Sequence, residues 1–409
     1  MNRNQTTLLI FLLVVVGLAG LMIYNKRNDY SGAGNPAIGK KLLGEFPLND
    51  VARLTIKGGG TNELNLVKKD GLWRVRERND YPANYSQISE FLLKLRDLKI
   101  TQSEKVGASQ LPRFGLVPGE GTNSAMVVDF KDQNDKTIQS LLLGKKHMRK
   151  SNRPSPFGDD MEGGGWPDGR YVKAGPGADS VVLISDALAN IEPKADQWLN
   201  KDFFKVEKVR SVNVAFPAAT NSWKLSRETE TGEWKLAEAK PGEQLDTSKA
   251  SSVSNPLSSP TFNDVDTSSK PEQLGLDKPT VVTLDTFDNF TYVLKVGQKT
   301  NDNYPLAFTV AAQLQKERTP GKDEKPEDKD KLDKEFKEKQ KKLEEKLAQE
   351  KNYEKWTYLV SSWSLEPLLK ERTQLLVEKK EEPKKDEKSA AATGAATNAP
   401  PAADSSAAK

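Results

Sequence analysis

The densest basic run in the chain is Lys145, Lys146, His147, Arg149, Lys150 and Arg153. Cations spaced this closely attract anions, so the run could meet lipid headgroups, a phosphorylated envelope polymer or an acidic protein partner. The plainer reading is a charged surface loop. Immediately downstream, Asp159, Asp160, Glu162 and Asp168 stand among Gly163, Gly164, Gly165 and Trp166. Carboxylates on such a loop could hold calcium, but the spacing fits no EF-hand, and a solvated loop is the simpler reading.

His147 is the only histidine, and there is no cysteine. That composition removes thiol nucleophiles, thiolate zinc sites, disulfides and every His-pair metal motif. A Ser-His-Asp triad would have to run through His147. Paired carboxylates for glycoside hydrolysis stay open, because spacing in sequence does not give the separation that matters. No catalytic residue, metal ligand or cofactor site can be assigned from residue types alone.

Two further constellations recur. Trp73 and Trp234 each follow a turn and could form an aromatic platform, although repetition together with apolar neighbours suits core residues better. Phe114-Gly115-Leu116 and Leu274-Gly275-Leu276 could cradle an anion, but no GxGxxG or GxxxxGK pattern surrounds them, and a turn into the next strand is expected.

The elements that must carry these residues begin with an anchor. The uncharged run Thr7 to Tyr24 is about the minimum length for a hydrocarbon core of roughly 30 Å. It predicts a single transmembrane helix within residues 1–27, leaving the rest of the chain on the extracytoplasmic, periplasmic side of the inner membrane. A cleaved signal peptide is the rival reading, with no A-x-A-like site to support it. Residues 28–47, rich in Gly, Pro and Asn, read as a linker.

From residue 48 the pattern becomes α+β and antiparallel. Short β-rich runs flank Asp70-Gly71, a hairpin signal. A helix is predicted from Asn84, which can cap Ser86 and Gln87, with Ile88, Phe91, Leu92 and Leu95 on one face. Strands are expected at 125–130, 137–143, 171–173 and 180–184. Features then recur in order: Trp73 with Trp234, Gly115 with Gly275 and Gly144 with Gly297, offset by 161, 160 and 153 residues. Val182-Leu183-Ile184-Ser185 likewise matches Tyr358-Leu359-Val360-Ser361, and Asp246 caps a weaker copy of the helix. Two tandem copies of one antiparallel-sheet domain follow, at 48–200 and 201–377, with one short helix each.

Each copy carries extra chain. Lys145 to Gly169 reads as a long surface loop, and 315–355 as a charged helical insertion at the equivalent place in copy two. Leu332, Phe336, Leu343 and Leu347 make a narrow apolar stripe on a helix roughly 39 Å long. Asp330 with Lys334, Glu335 with Lys339 and Glu338 with Lys342 suit acid-before-base pairing. This stripe must pack on its own domain, on a second copy of the chain, or on a protein partner. Residues 378–409 are low-complexity and expected to be disordered.

Net charge is +4 on 62 basic and 58 acidic residues, with no basic face, so nucleic acid is not expected as a partner. The 36% hydrophobic content places part of the length outside any core.

The anchor followed by this repeated order resembles a bacterial family, the domain-of-unknown-function family numbered 4340. The residues carrying the likeness are Trp73, Tyr81-Pro82-Ala83, Leu92 to Leu95, Phe114-Gly115-Leu116, Leu143-Gly144, Tyr171-Val172 and Val182-Leu183-Ile184-Ser185. The resemblance implies an envelope protein found beside gliding-motility-type and other ABC transport systems, with an auxiliary role and no assigned catalytic residues. The expected function is therefore a non-enzymatic, membrane-anchored scaffold of an envelope complex. The alternatives are a cell-wall glycan or lipid-headgroup binding module and, less favoured, a carboxylate-based hydrolase.

Overall fold

The structure, a computed structural model, describes residues 37–59, 62–119, 124–150, 165–175, 177–255, 257–321 and 324–377. The predicted anchor at Thr7 to Tyr24 and the tail at 378–409 lie outside the described residues. Among those described, no helix is long and apolar enough to cross a membrane.

Copy one contributes β1 (Arg53–Lys57), β2 (Glu63–Lys69), β3 (Leu72–Val75), β4 (Tyr81–Pro82), α1 (Tyr85–Asp97), β5 (Ile100–Lys105), β6 (Met126–Lys131), β7 (Thr137–Lys150), β8 (Gly165–Ala174) and β9 (Ser180–Ile184). Copy two contributes β10 (Val209–Ala215), β11 (Trp223–Ser226), β12 (Lys235–Leu236), α2 (Thr247–Ser251), β13 (Phe262–Asp266), β14 (Thr280–Thr286), β15 (Phe290–Val296), β16 (Asn303–Ala312), α3 (Lys329–Lys351), β17 (Thr357–Ser361) and α4 (Ser362–Leu365). The two sheets run β4-β3-β2-β1-β6-β7-β8-β9-β5 and β12-β11-β10-β14-β15-β16-β17-β13. Without the edge strand β4 the two orders coincide strand for strand. The chain is an α+β tandem repeat.

Local chemistry explains several elements. Asp70 and Gly71 both take positive φ, 52° and 78°, which gives the tight turn pairing Lys69 with Leu72. The Asn84 side chain accepts from the Gln87 amide at 3.1 Å, and α1 buries Ile88, Phe91, Leu92 and Leu95, one face of the helix. Asp246 caps α2 through the Ser248 and Lys249 amides. Both copies close in the same way: the Asn84 amide donates to Trp198 O and the Asp246 amide to Leu375 O.

The glycine pairs are packing devices. Gly115 and Gly275 share φ of 65° and 68°. A Cβ on Gly144 would lie 2.3 Å from Phe114 O, and one on Gly297 2.0 Å from Leu274 O. These backbones meet where no side chain fits, so the motifs fix a turn and offer no anion cradle. Trp73 is buried, while Trp234 is half-buried with Nε1 donating to Ser254 Oγ at 2.7 Å. Both pack against the core, and neither belongs to a paired platform.

One hydrophobic core runs through both copies. At the junction the Tyr81 ring meets Trp356 at 4.7 Å and Phe262 at 5.9 Å edge-on, and Phe203 lies 4.5 Å from Tyr358. Burial raises the pKa of the Tyr81 and Tyr358 hydroxyls. Arg78 holds both carboxylate oxygens of Asp264 at 2.8 and 2.7 Å across the same junction.

Three expectations are corrected. Lys145 to Gly169 is not a loop throughout, because β7 continues to Lys150 and β8 begins at Gly165. Sequence gives no warning, since the ladder joins residues far apart in the chain. The charged insertion is also one connection later than expected: it joins β16 to β17, whereas Lys145 to Gly169 joins β7 to β8. Finally, the ion pairs along α3 run base before acid, Lys329 with Asp333, Lys331 with Glu335 and Lys341 with Glu345. Lys339 turns instead to Asp288 on copy two, at 2.8 Å.

The helix α3 is about 34 Å long at 1.5 Å per residue. Leu332, Phe336, Leu343 and Leu347 are all half-buried, and the last two pack on the core. Beyond them, buried Glu350 accepts from the Lys205 amide, the Tyr292 hydroxyl and the Lys346 ammonium at 2.9, 2.8 and 2.8 Å. At the other end Arg318 pairs with Glu324 and Asp333. The Leu343–Leu347 half of the stripe is therefore engaged with its own copy.

Candidate functional site

The basic run from Lys145 to Lys150 lies on a projecting arm. β7 pairs with β6 only as far as Leu143, and β8 pairs with β9 only from Arg170 onward. Between those points the two strands pair only with each other: Lys146 with Arg170, His147 with Gly169, Met148 with Pro167, Arg149 with Trp166 and Lys150 with Gly165. Bulges after Leu143 and after His147 interrupt the ladder and let the arm depart from the sheet.

Lys145, Lys146 and Arg149 are exposed. Arg149 and Trp166, a cross-strand pair, share one face, and Met148 opposite Pro167 takes the other. Met148 and Trp166 are 48% and 56% exposed, unusual for large apolar side chains. Arg153 and the carboxylates Asp159, Asp160 and Glu162 lie outside the described residues.

His147 is engaged. Its Nδ1 lies 2.6 Å from Asp168 Oδ1, and its ring meets Tyr171 edge-on at 6.1 Å. The bond to His147 holds the Asp168 carboxyl below its ordinary range. Among the described residues, the hydrogen-bond partner of His147 is Asp168, and no group of three His, Asp or Glu side chains converges to hold a metal ion.

At the base of the arm sits Arg170, which the sequence reading did not single out. It is 93% buried in terms of its 7% residual exposure, and its Nε donates to Gly144 O at 2.9 Å while a terminal nitrogen donates to Leu188 O at 3.3 Å. Burial pushes the guanidinium down to about 10, so it stays charged at neutral pH. Leu188 takes φ of 45°, and Asp186 Oδ1 accepts its amide at 2.7 Å. Arg170 thereby ties the arm to the segment after β9.

That segment and α1 enclose a cleft of about 390 Å³. Phe91, Leu188 and Ile191 give it apolar walls, and Glu90, Lys94 and Asp168 give it charge. Lys94 is taken by Asp186 at 3.3 Å. In copy two the register that places Arg170 beside Ile184 places Tyr304 beside Val360, so the buried arginine has no counterpart there. This difference between equivalent positions was the signal in the sequence, and it becomes readable once the strands are aligned by register.

The family model described as a domain of unknown function, DUF4340, matches residues 73–153 and 162–279. The chain resembles that family. The DUF4340 match opens at Trp73 in β3, takes in the described arm and Arg170, and ends just before β14. No curated protein and no solved structure matches the chain.

Proposed function

We propose that this protein is a non-enzymatic auxiliary or scaffold subunit of a cell-envelope complex of the ABC-transport type, anchored by Thr7 to Tyr24 with its body on the extracytoplasmic side. The observation that supports this most is the joining of two sheets through one core, from which a basic, aromatic-bearing arm projects. Such an architecture holds a contact surface at a fixed place. Its well-formed clusters are spent on packing: the glycine pairs close a turn, His147 is held by Asp168, and Glu350 secures α3.

Purification of the full chain from gently solubilised membranes tests the reading. A stoichiometric membrane complex is expected. Recovery of the chain alone at every detergent strength would count against it. A second reading, a binding module for a cell-wall glycan or lipid headgroup, draws support from Trp166 beside Arg149, and a glycan pull-down lost in Trp166→Ala would favour its first form.

A further inference from the structure

We infer that the cleft between α1 and the segment after β9 binds a small organic cation, an amine or guanidinium on a short aliphatic chain, with the chain on Phe91, Leu188 and Ile191 and the charge at Glu90. The inference is independent of the scaffold reading, which gives the cleft no role.

The first argument is that one wall of the cleft is held in a strained shape. Leu188 takes φ of 45°, a left-handed backbone that a bulky side chain avoids. Two bonds keep it there: its amide donates to Asp186 Oδ1 at 2.7 Å, and its carbonyl accepts from the buried Arg170 at 3.3 Å. The Trp198 indole fixes the segment further on by donating to Glu192 O at 3.0 Å. Copy two is an internal control. Val360 stands in β17 where Ile184 stands in β9, and the chain there turns directly into α4, with no residue from Ser361 to Leu365 at positive φ. Ending this strand of the repeat therefore needs neither the strained leucine nor the buried arginine. In copy one they shape the cleft, and a wall fixed before a ligand arrives loses little freedom on binding.

The lining chemistry is the second argument. Phe91, Leu188 and Ile191 are buried and form an apolar floor, whereas Glu90 and Lys94 are exposed at the rim. Glu90 stands one turn before Lys94 on α1, the spacing at which acid and base ordinarily pair. Lys94 turns instead to Asp186, at 3.3 Å. Asp168 is bonded to His147 and lies in the field of Arg149. Glu90 is thus left without an ion pair among the described residues. A cation on an aliphatic chain meets both the unpaired carboxylate and the floor beside it, while an anion meets three carboxylates against one ammonium. A sugar would need an aromatic face to stack on, and Phe91, the ring in this lining, is 4% exposed. The volume of about 390 Å³ suits a small molecule.

The absence of cysteine makes the test site-specific, because an introduced thiol is unique. Full-length Asn190→Cys, carrying a trifluoromethyl tag at the exposed rim of the cleft, is held in phosphatidylcholine discs and titrated with n-pentylamine and n-pentylguanidine. Pentanol and pentanoate are the matched neutral and anionic probes. Leu72→Cys is the reference for partition into lipid, since Leu72 is 57% exposed and lies on β3, near the opposite edge of the sheet from β9. The fluorine signal at Asn190 is expected to shift saturably with both cations, about tenfold more weakly with pentanol and not with pentanoate, while the signal at Leu72 stays still. Glu90→Gln should weaken both cations about tenfold and leave pentanol unchanged. Ala189→Trp, at an exposed lining residue, should block all three with the melting temperature unchanged. No response to either cation, an equal response to pentanoate, an unaltered affinity in Glu90→Gln, or a shift shared by Leu72 would each overturn the inference. So would a shift with a capped lysine peptide and with neither free cation, which would make the occupant a partner's side chain.

Discussion

Adding one methyl group at Gly297 should be among the most damaging small changes in the fold. Its Cβ would lie 2.0 Å from Leu274 O, where ordinary contact begins at 3.4 Å, so relief requires a backbone shift of more than an ångström. That carbonyl accepts the Gln298 amide at 3.0 Å, and moving it breaks the bond. Overpacking costs about 1–3 kcal/mol, and a buried group left unpaired costs about as much again. A loss of about 4 kcal/mol follows for Gly297→Ala, which is roughly 5 °C in Tm for a chain of this size. Gly71 provides the contrast. Unlike Gly297 it has positive φ, 78°, but nothing lies within 4 Å of its would-be Cβ, so Gly71→Ala should cost only about 1–2 kcal/mol of backbone strain. Thermal and urea unfolding of the purified full chain, followed by tryptophan fluorescence, measures both. If Gly297→Ala loses no more stability than Gly71→Ala, the close backbone approach is not what the glycine provides, and the explanation of both Gly-Leu motifs fails with it.

Glu350→Ala should cost about 3 kcal/mol, because it strands the Lys205 amide and leaves the Tyr292 hydroxyl only its longer bond to Lys205 O; hydrogen exchange should show α3 opening before the sheets do. Tyr81→Ala removes a ring shared by both copies, which predicts a loss of about 3–5 kcal/mol and a single calorimetric transition split in two. Glu243 is held down to about 2, against its ordinary 4.5, chiefly by the side-chain bond from Arg372. The charged form is thus favoured in the fold, and the contribution is full above pH 4.5 and lost as pH falls through about 2; Glu243→Gln should flatten the acid limb of the stability profile in that window.

Much of the fold was legible in the sequence because its signals are local. Asp70-Gly71 specifies its own turn, Asn84 caps a helix whose apolar face repeats every three or four residues, and alternation marks most strands. The repeat was legible too, since Trp73, Gly115 and Gly144 recur in order at Trp234, Gly275 and Gly297. The site was less so. The basic run could be named, but its cations read as loop, because nothing near Lys146 in the chain announces that Arg170 will lie opposite. The α3 stripe was visible, while the choice among its own copy, a second chain and a partner hung on Glu350 and Lys339, whose contacts are at Lys205, Tyr292 and Asp288.

By itself, the sequence determined the α+β class, the doubling, the turns and the exclusion of thiol and His-pair chemistry, all of which depend on residue type or on neighbours within a few turns of chain. Tertiary structure alone decided that the two copies share a core, that the basic run is a paired arm, and that Arg170 is buried at its base. Those outcomes come from pairing across tens to hundreds of residues, where the free energy depends on which surfaces meet and local periodicity carries no record of the partner.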